Sequence, residues 1–325
     1  MNMRCVLYHR QRGIAVITAL LLTTLAITLV ASLFWQQQVQ VRAIENQRLQ
    51  LQKQWILRGA LDWAGLILRE DAKHSSVDHL DEPWAVPLAE TRLDQYVESG
   101  HADDNISGAI LSGGISDAQA RYNLTNLCAN GVIDPAEVAA FARLLNNAQI
   151  NPALAQATAD AMAAAQRSGG HGAELKPQAA AVNNGDQPDS QPMNLTQLED
   201  LLAVPGFSPE TIGALKNLVI FLPRATPVNV NTAPAEVLAA RIEALSLDEA
   251  ASLAAMRKTA SFRDLADFTH RLPDKFFAAP ADQASVETHY FLVDGKVRMN
   301  RAGLDVQALI ERKGSSTKVI WIREH

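Results

Sequence analysis

The chain has 325 residues, 48% of them hydrophobic and 20% charged, with a formal net charge of −6. This composition suits a globular body of two or three domains and argues against nucleic acid as a general partner, because a phosphate backbone recruits a basic surface. No H-E-x-x-H, G-x-S-x-G, phosphate-loop or Cys/His metal spacing occurs, so the residues point away from an enzyme and toward a mechanical or binding role.

Organisation begins at Arg10-Gln11-Arg12-Gly13-Ile14. From Gly13 to Val41 there is no charged residue, and from Ile14 to Trp35 nearly every side chain is aliphatic or a Thr able to bond its own helix backbone. About 22 such residues rise roughly 33 Å as a helix, enough to cross the hydrocarbon core of a bilayer. Residues 14–35 are therefore expected to form a transmembrane helix. Residues 1–13 are short and polar, with Arg4, Arg10 and Arg12 and no acid. The positive-inside bias keeps that end cytoplasmic and sends the C-terminal bulk across. The apolar run is too long for a secretory signal peptide, and the small residue Gly13 precedes it.

A basic leader ending in Gly directly before a span resembles the type IV prepilin leader, which a prepilin peptidase cuts after the Gly. The resemblance implies cleavage between Gly13 and Ile14, a mature chain that keeps its helix, and N-methylation of Ile14. Loss of three Arg would take the net charge from −6 to −9 and leave Cys128 without a second cysteine. An uncleaved signal anchor with an incidental Gly is the alternative for this stretch alone. Most pilins and pseudopilins carry Glu at the fifth mature position, where an intramembrane carboxylate can pair with a neighbour's terminal ammonium. Here that position is Thr18. A subunit without the carboxylate suits the start or tip of a fibre; the plain alternative is an ordinary membrane-helix Thr.

Gln36 to Gln54 is rich in Gln, Arg and Leu without Gly or Pro, which predicts continued helix. Ile56, Leu57, Ala60, Leu61, Ala64, Ile67 and Leu68 then recur at three and four, giving one apolar stripe able to pack on a sheet. Pro83 and Pro87 break the helix, and Trp84 is expected to anchor this loop in a pocket. Two short extended segments, Ile106 to Leu111 and Ala120 to Leu124, are expected on either side of a Ser112-Gly113-Gly114 turn. Arg121-Tyr122-Asn123-Leu124-Thr125-Asn126-Leu127 looks like a segment of general secretion pathway protein K, the large minor pseudopilin of type II secretion systems. Asn123 and Asn126 at this spacing can bond backbone where a strand turns into a loop, a structural use.

Helical signals follow. Asp134-Pro135-Ala136-Glu137 caps a helix to about Asn147, and Asn151-Pro152 opens an Ala-rich one to about Gln166. Residues 168–192 read as a long linker. In family K a corresponding loop is associated with calcium. In this chain the stretch after Asp160 reads Ala161-Met162-Ala163-Ala164-Ala165, and the acids beyond it are Glu174, Asp186 and Asp189. A hard cation wants six or more oxygens, so no cofactor or metal is expected and a solvated linker is. Ser208-Pro209-Glu210 starts a helix to about Phe221, Ser246-Leu247-Asp248-Glu249 is a capping box, and Ser261-Phe262-Arg263-Asp264 opens a last short helix. Between them Val228-Asn229-Val230-Asn231-Thr232-Ala233 closely matches a second signature of family K.

The same block also resembles helix-hairpin-helix DNA-binding modules, which supports the alternative of a membrane-anchored, competence-type DNA-binding protein. Between Leu195 and Leu272, however, seven Lys and Arg face nine Asp and Glu, a net of −2. Phosphate binding needs the opposite balance. Towards the C-terminus, Thr288 to Val293, Lys296 to Arg301, Asp305 to Glu311 and Lys318 to Arg323 read as strands, with Asp294-Gly295 as a hairpin turn.

Early strands, a helical block, then late strands predict an α+β pseudopilin fold, a long helix on an antiparallel sheet with a large inserted all-α domain. The expected segments are leader 1–13, span 14–35, spine and first sheet part 36–127, helical insertion 128–286 and closing strands 287–325. The resemblance to protein K implies an inner-membrane, single-pass chain with a periplasmic C-terminal domain at the tip of the pseudopilus. Its implied partners are the minor pseudopilins I and J, other pseudopilins and the prepilin peptidase, with secreted cargo or the secretin as further candidate contacts and no nucleic acid.

Overall fold

The computed structural model describes residues 14–93, 109–169, 193–273, 283–299 and 302–324. The expected leader, including Gly13, and residues 170–192 of the expected linker lie outside them. The chain divides into two compact units, residues 1–58 and 59–325.

The described part of the first unit is helix. It belongs to α1, Ile14–Asp71, 58 residues without a break. Its early part is long and apolar enough to cross a membrane. The hydroxyls of Thr18, Thr23, Thr24 and Thr28 each donate to a carbonyl three or four residues back, so none presents an unmatched donor to a hydrocarbon surround.

In the second unit α1 ends against a sheet. Leu61, Ala64 and Leu68 are buried, as the stripe predicts, and Arg69 donates to Thr317 Oγ1 at 2.8 Å. The elements after it are β1 (Leu88–Arg92) and β2 (Ile110–Asp117); β3 (Tyr122–Asn123), β4 (Cys128–Ala129) and β5 (Val132–Ile133); and helices α2 (Pro135–Asn147) and α3 (Leu154–Gly169). Next come α4 (Pro209–Leu215), β6 (Val219–Ile220), β7 (Val228–Asn229), α5 (Ala235–Arg241), α6 (Leu247–Met256), α7 (Leu265–His270) and β8 (Ala284–Ser285). Three long strands close the chain: β9 (Tyr290–Met299), β10 (Ala302–Lys313) and β11 (Ser316–Glu324). The main sheet has the order β1-β2-β9-β10-β11, antiparallel throughout. Because β2 lies beside β9, everything between Asp117 and Tyr290 is inserted at one fork of the sheet. This is an α+β pseudopilin fold carrying a large helical lobe.

The lobe has its own apolar core, which includes Phe141, Leu144, Leu215, Val237, Leu253, Phe262 and Phe268. Several of its helices start where the sequence says they should. Asp134 caps α2 through the Ala136 and Glu137 amides, and Ser246 and Glu249 form the capping box of α6. Tyr122, Leu124 and Leu127 also belong to that core, so by packing the lobe begins after Asp117, upstream of the expected 128.

Four expectations are corrected. Ser112-Gly113-Gly114 is no turn but the middle of β2, and Asp294-Gly295 is no hairpin but the middle of β9. Gly113 pairs with Gly295 and Gly114 with Asp294, so two turn-like pairs sit opposite each other across one ladder. A Cβ on Gly113 would lie 2.2 Å from the Asp294 carbonyl oxygen, and the glycines serve close backbone approach. Beside them Trp84 is 1% exposed, its ring edge-on to Phe291 at 5.3 Å. The expected strand Ala120 to Leu124 shrinks to β3, followed by a 3-10 turn at Leu124–Leu127, because β3 pairs with the short β6 and not with the main sheet. The helix expected to run to Phe221 stops at Leu215 for the same reason: Val219 and Ile220 are that partner strand.

Gly113→Ala should therefore destabilise the fold by about 1–3 kcal/mol, the usual cost of forcing a methyl into filled space. Gly303→Ala, with nothing within 4 Å of its Cβ, should stay within about 0.5 kcal/mol of the parent. Chemical denaturation of the full chain in detergent micelles compares the two.

Candidate functional site

The two sequence signatures meet the rest of the fold through polar side chains. In Val228-Asn229-Val230-Asn231-Thr232, Val228 and Val230 enter the lobe's core, while the intervening polar side chains look for partners. Asn229 Nδ2 donates to Asp117 Oδ2 at 2.8 Å and to the Asp78 carbonyl at 3.1 Å. Thr232 Oγ1 donates to the same Asp117 oxygen at 2.6 Å, and Gln119 N caps the other at 2.7 Å. Asn231 turns the opposite way, exchanging bonds of 2.9 and 2.8 Å with the backbone of Phe262 before α7. One short segment thus ties the lobe's helices to the last residue of β2.

Asn123 and Asn126 grip the crossing between β6 and β7. Asn123 donates to Arg224 O at 2.7 Å and accepts from Leu222 N at 3.1 Å, and Asn126 exchanges two bonds of 3.0 Å with the Thr226 backbone. The amide side chains supply hydrogen bonds where this irregular backbone has no ladder to join. Arg121 joins neither set: its side chain lines a groove between lobe and sheet. Thr18 lies in α1, its hydroxyl bonded to Ala15 O at 3.1 Å.

Asp117 is the electrostatic centre of the junction. Burial pushes its carboxyl up to about 6, helped by the nearby Asp78 charge and opposed by hydrogen bonds from Thr232, Thr288 and Asn229. Asp78, next to it, accepts from Thr288 N at 2.7 Å and pairs with Arg312. Arg312 also pairs with Asp71 at 2.8 Å and lies over the Phe291 ring. Burial raises Asp71, Asp78 and Glu82 above the usual carboxylate range, with Arg312 pulling the two aspartates back. Oxygens of these three acids lie within 4.8 Å of one another, a spacing a hard cation can use. Each acid already has an oxygen engaged by the protein, however: Arg312 holds the aspartates, and Glu82 Oε2 accepts from His79 N at 2.9 Å and Trp84 Nε1 at 2.7 Å. The cluster works as an ion network under the fork. Sequence reasoning missed Asp117, Asp78 and Arg312, since no local motif joins residues so far apart in the chain.

Models of the family described as "Type II secretion system (T2SS), protein K" match residues 120–224 and 228–287, which contain both signatures. The chain belongs to the type II secretion system protein K family. It is 29% identical to the type II secretion system protein K of Pseudomonas aeruginosa, over 95% of this chain and 92% of that one. Against the protein K of Klebsiella pneumoniae it is 28% identical, with 97% of each chain covered. Among solved structures it resembles a chain from the crystal structure of a GspK-GspI-GspJ complex of enterotoxigenic Escherichia coli, with a TM-score of 0.60, 19% identity, and coverage of 86% of this chain and 98% of that one. In protein K terms, the junction is the place where a minor pseudopilin's sheet accepts its helical lobe.

Asp117 gives a pH signature. Its folded value near 6 exceeds the ordinary 3.8, so between the two the folded chain binds more protons than the unfolded one. Its contribution to stability is complete below the ordinary value and is lost as pH rises through about 6. Asp117→Asn should abolish that part of the slope and, by mismatching buried donors, cost about 1–3 kcal/mol. Denaturant unfolding of both proteins from pH 4 to 8 reads both effects, and a parallel pH profile would count against the assignment.

Proposed function

We propose that this chain acts as the minor pseudopilin at the tip of a type II secretion pseudopilus, where it primes assembly and supports protein export across the outer membrane. The observation that carries the reading is the combination of a pseudopilin fold bearing a bulky lobe with an apolar helix that has Thr18 in place of a carboxylate. Thr18 spends its hydroxyl on its own helix and offers no charge to a neighbour's terminal ammonium. A subunit that cannot dock beneath an existing one belongs at the start of the fibre.

In this reading the chain inserts in the inner membrane with residues 1–13 cytoplasmic and the body periplasmic. The prepilin peptidase cuts between Gly13 and Ile14, and Ile14 is N-methylated. Minor pseudopilins I and J are its partners; the similar solved chain comes from a complex of that kind. Its work is mechanical and interactive, with no catalytic step assigned, and the lobe is the surface available to cargo or secretin. DNA binding finds little support: the lobe's signature residues are engaged inside the fold, and the block from Leu195 to Leu272 is net acidic.

Mass spectrometry of the mature amino terminus, in cells with an active prepilin peptidase, should find N-methylated Ile14. An intact Met1 would refute the processing. Copurification with minor pseudopilins I and J should succeed, while a DNA titration at physiological salt should give no binding.

A further inference from the structure

Where the lobe lies on the sheet, Ala118, Ile220, Leu222, Tyr290, Leu292 and Leu309 form a buried apolar cluster. Beside it the two surfaces part and leave a groove of about 720 Å³, with Leu198, Lys216 and Phe221 on the lobe side and Asp294, Gln307 and Trp321 on the sheet side. That volume falls in the range of roughly 300–1,000 Å³ typical of ligand pockets. Arg121 lines it. Its guanidinium makes no hydrogen bond or ion pair with the described residues, although burial lowers its pKa.

Two buried arginines have carboxylate partners, and a third, Arg257, donates to the Val230 carbonyl. Arg312 is matched to Asp71 and Asp78, and Arg241 to Glu137. The two carboxylates whose charge reaches Arg121 are Asp294 and Asp117, yet neither hydrogen-bonds it: Asp117 receives Thr232 and Asn229, and Asp294 receives Gln307. A guanidinium presents five donors in a planar fork suited to a carboxylate, and leaving them unmatched in a partly dehydrated wall is costly. Of the other cations at the groove, Arg323 donates to Thr196 O and lies 4.1 Å over the Trp321 ring. Arg121, Lys216 and Arg323 are balanced in the groove by Glu199, Asp294 and Glu324, which leaves no positive surplus for a polyanion and a place for one carboxylate at the guanidinium that lacks a hydrogen bond.

We propose that this groove binds an aspartate or glutamate side chain of a partner protein, the carboxylate received by Arg121 and its apolar neighbour resting against Trp321. The site is independent of the tip assignment, since it rests on the seam between lobe and sheet and not on the membrane helix.

The test uses the full chain in detergent micelles with the Trp321 indole N–H resonance as reporter, assigned through Trp321→Phe. Three probes are titrated: acetyl-Leu-Glu-Leu-amide, acetyl-Leu-Gln-Leu-amide, and acetyl-Leu-Gln-Leu with a free terminal carboxylate; inorganic phosphate is the fourth. The Glu peptide should give a saturable shift and bind at least about tenfold more tightly than its Gln counterpart, a difference of about 1.4 kcal/mol. Arg121→Gln should bring the Glu peptide down to the Gln level with a melting temperature no lower than the parent's, because the guanidinium makes no hydrogen bond with the described residues and carries a desolvation cost, and Arg121→Lys should retain part of the preference. Equal binding of the Glu and Gln peptides, equal or tighter binding of phosphate or of the free-terminus peptide, or an unaltered Glu titration in Arg121→Gln would each overturn the proposal.

Discussion

A buried carboxylate at the fork of a sheet is the interaction on which this structure depends. β2 ends at Asp117, paired with Phe291 of β9, and between those neighbouring strands the chain leaves to build the entire lobe and returns. Backbone and side chains at such a fork lose their ladder partners at the moment they are buried. Asp117 answers this with two oxygens that receive Gln119 N, Thr232 and Asn229, the last two 115 and 112 positions away in the chain. The cost of burying the carboxylate appears in its raised pKa. Removing any one donor would leave that cost less well offset.

The ion network beneath extends the same device to the end of α1. Arg312 on β10 joins Asp71, the last residue of α1, to Asp78 in the loop that follows, and Asp78 reaches Thr288, just before β9. Helix end, returning strand and sheet centre are therefore held by one guanidinium. Buried ion groups of this kind add little net stability compared with apolar packing, yet breaking one member is expensive. Here they tie the end of α1, the loop after it and the segment before β9 to β10, contacts that suit a subunit whose proposed work is mechanical.

Much of the fold was legible in the sequence because its signals are local. The apolar run from Ile14, the stripe from Ile56 to Leu68, and the caps at Asp134 and Ser246 each act within a few residues, and each element stands where it was expected. Gly113-Gly114 and Asp294-Gly295 misled because turn propensity and close strand approach use the same residues, and only the pairing of one with the other distinguishes them. The small β4–β5 hairpin was legible yet overlooked: Asn130-Gly131, both at positive φ, is the dipeptide a two-residue hairpin turn prefers. Asn123, Asn126, Asn229, Asn231 and Thr232 were recognisable as signature residues. Their partners were not, since Asp117 and Asp78 lie more than a hundred positions from Asn229. That Arg121 hydrogen-bonds none of the described residues could be seen only once the donors of Asp117 and Asp294 had been placed.

A double-mutant cycle between Asp117 and Thr232 tests the central claim most directly. With Asp117→Asn, Thr232→Val and the pair measured by denaturant unfolding at pH 7, direct contact across the fork predicts a coupling energy in the range of about 0.5–3 kcal/mol. Strictly additive effects would contradict the account, because they would mean that sheet and lobe are held together without the bond between these two side chains.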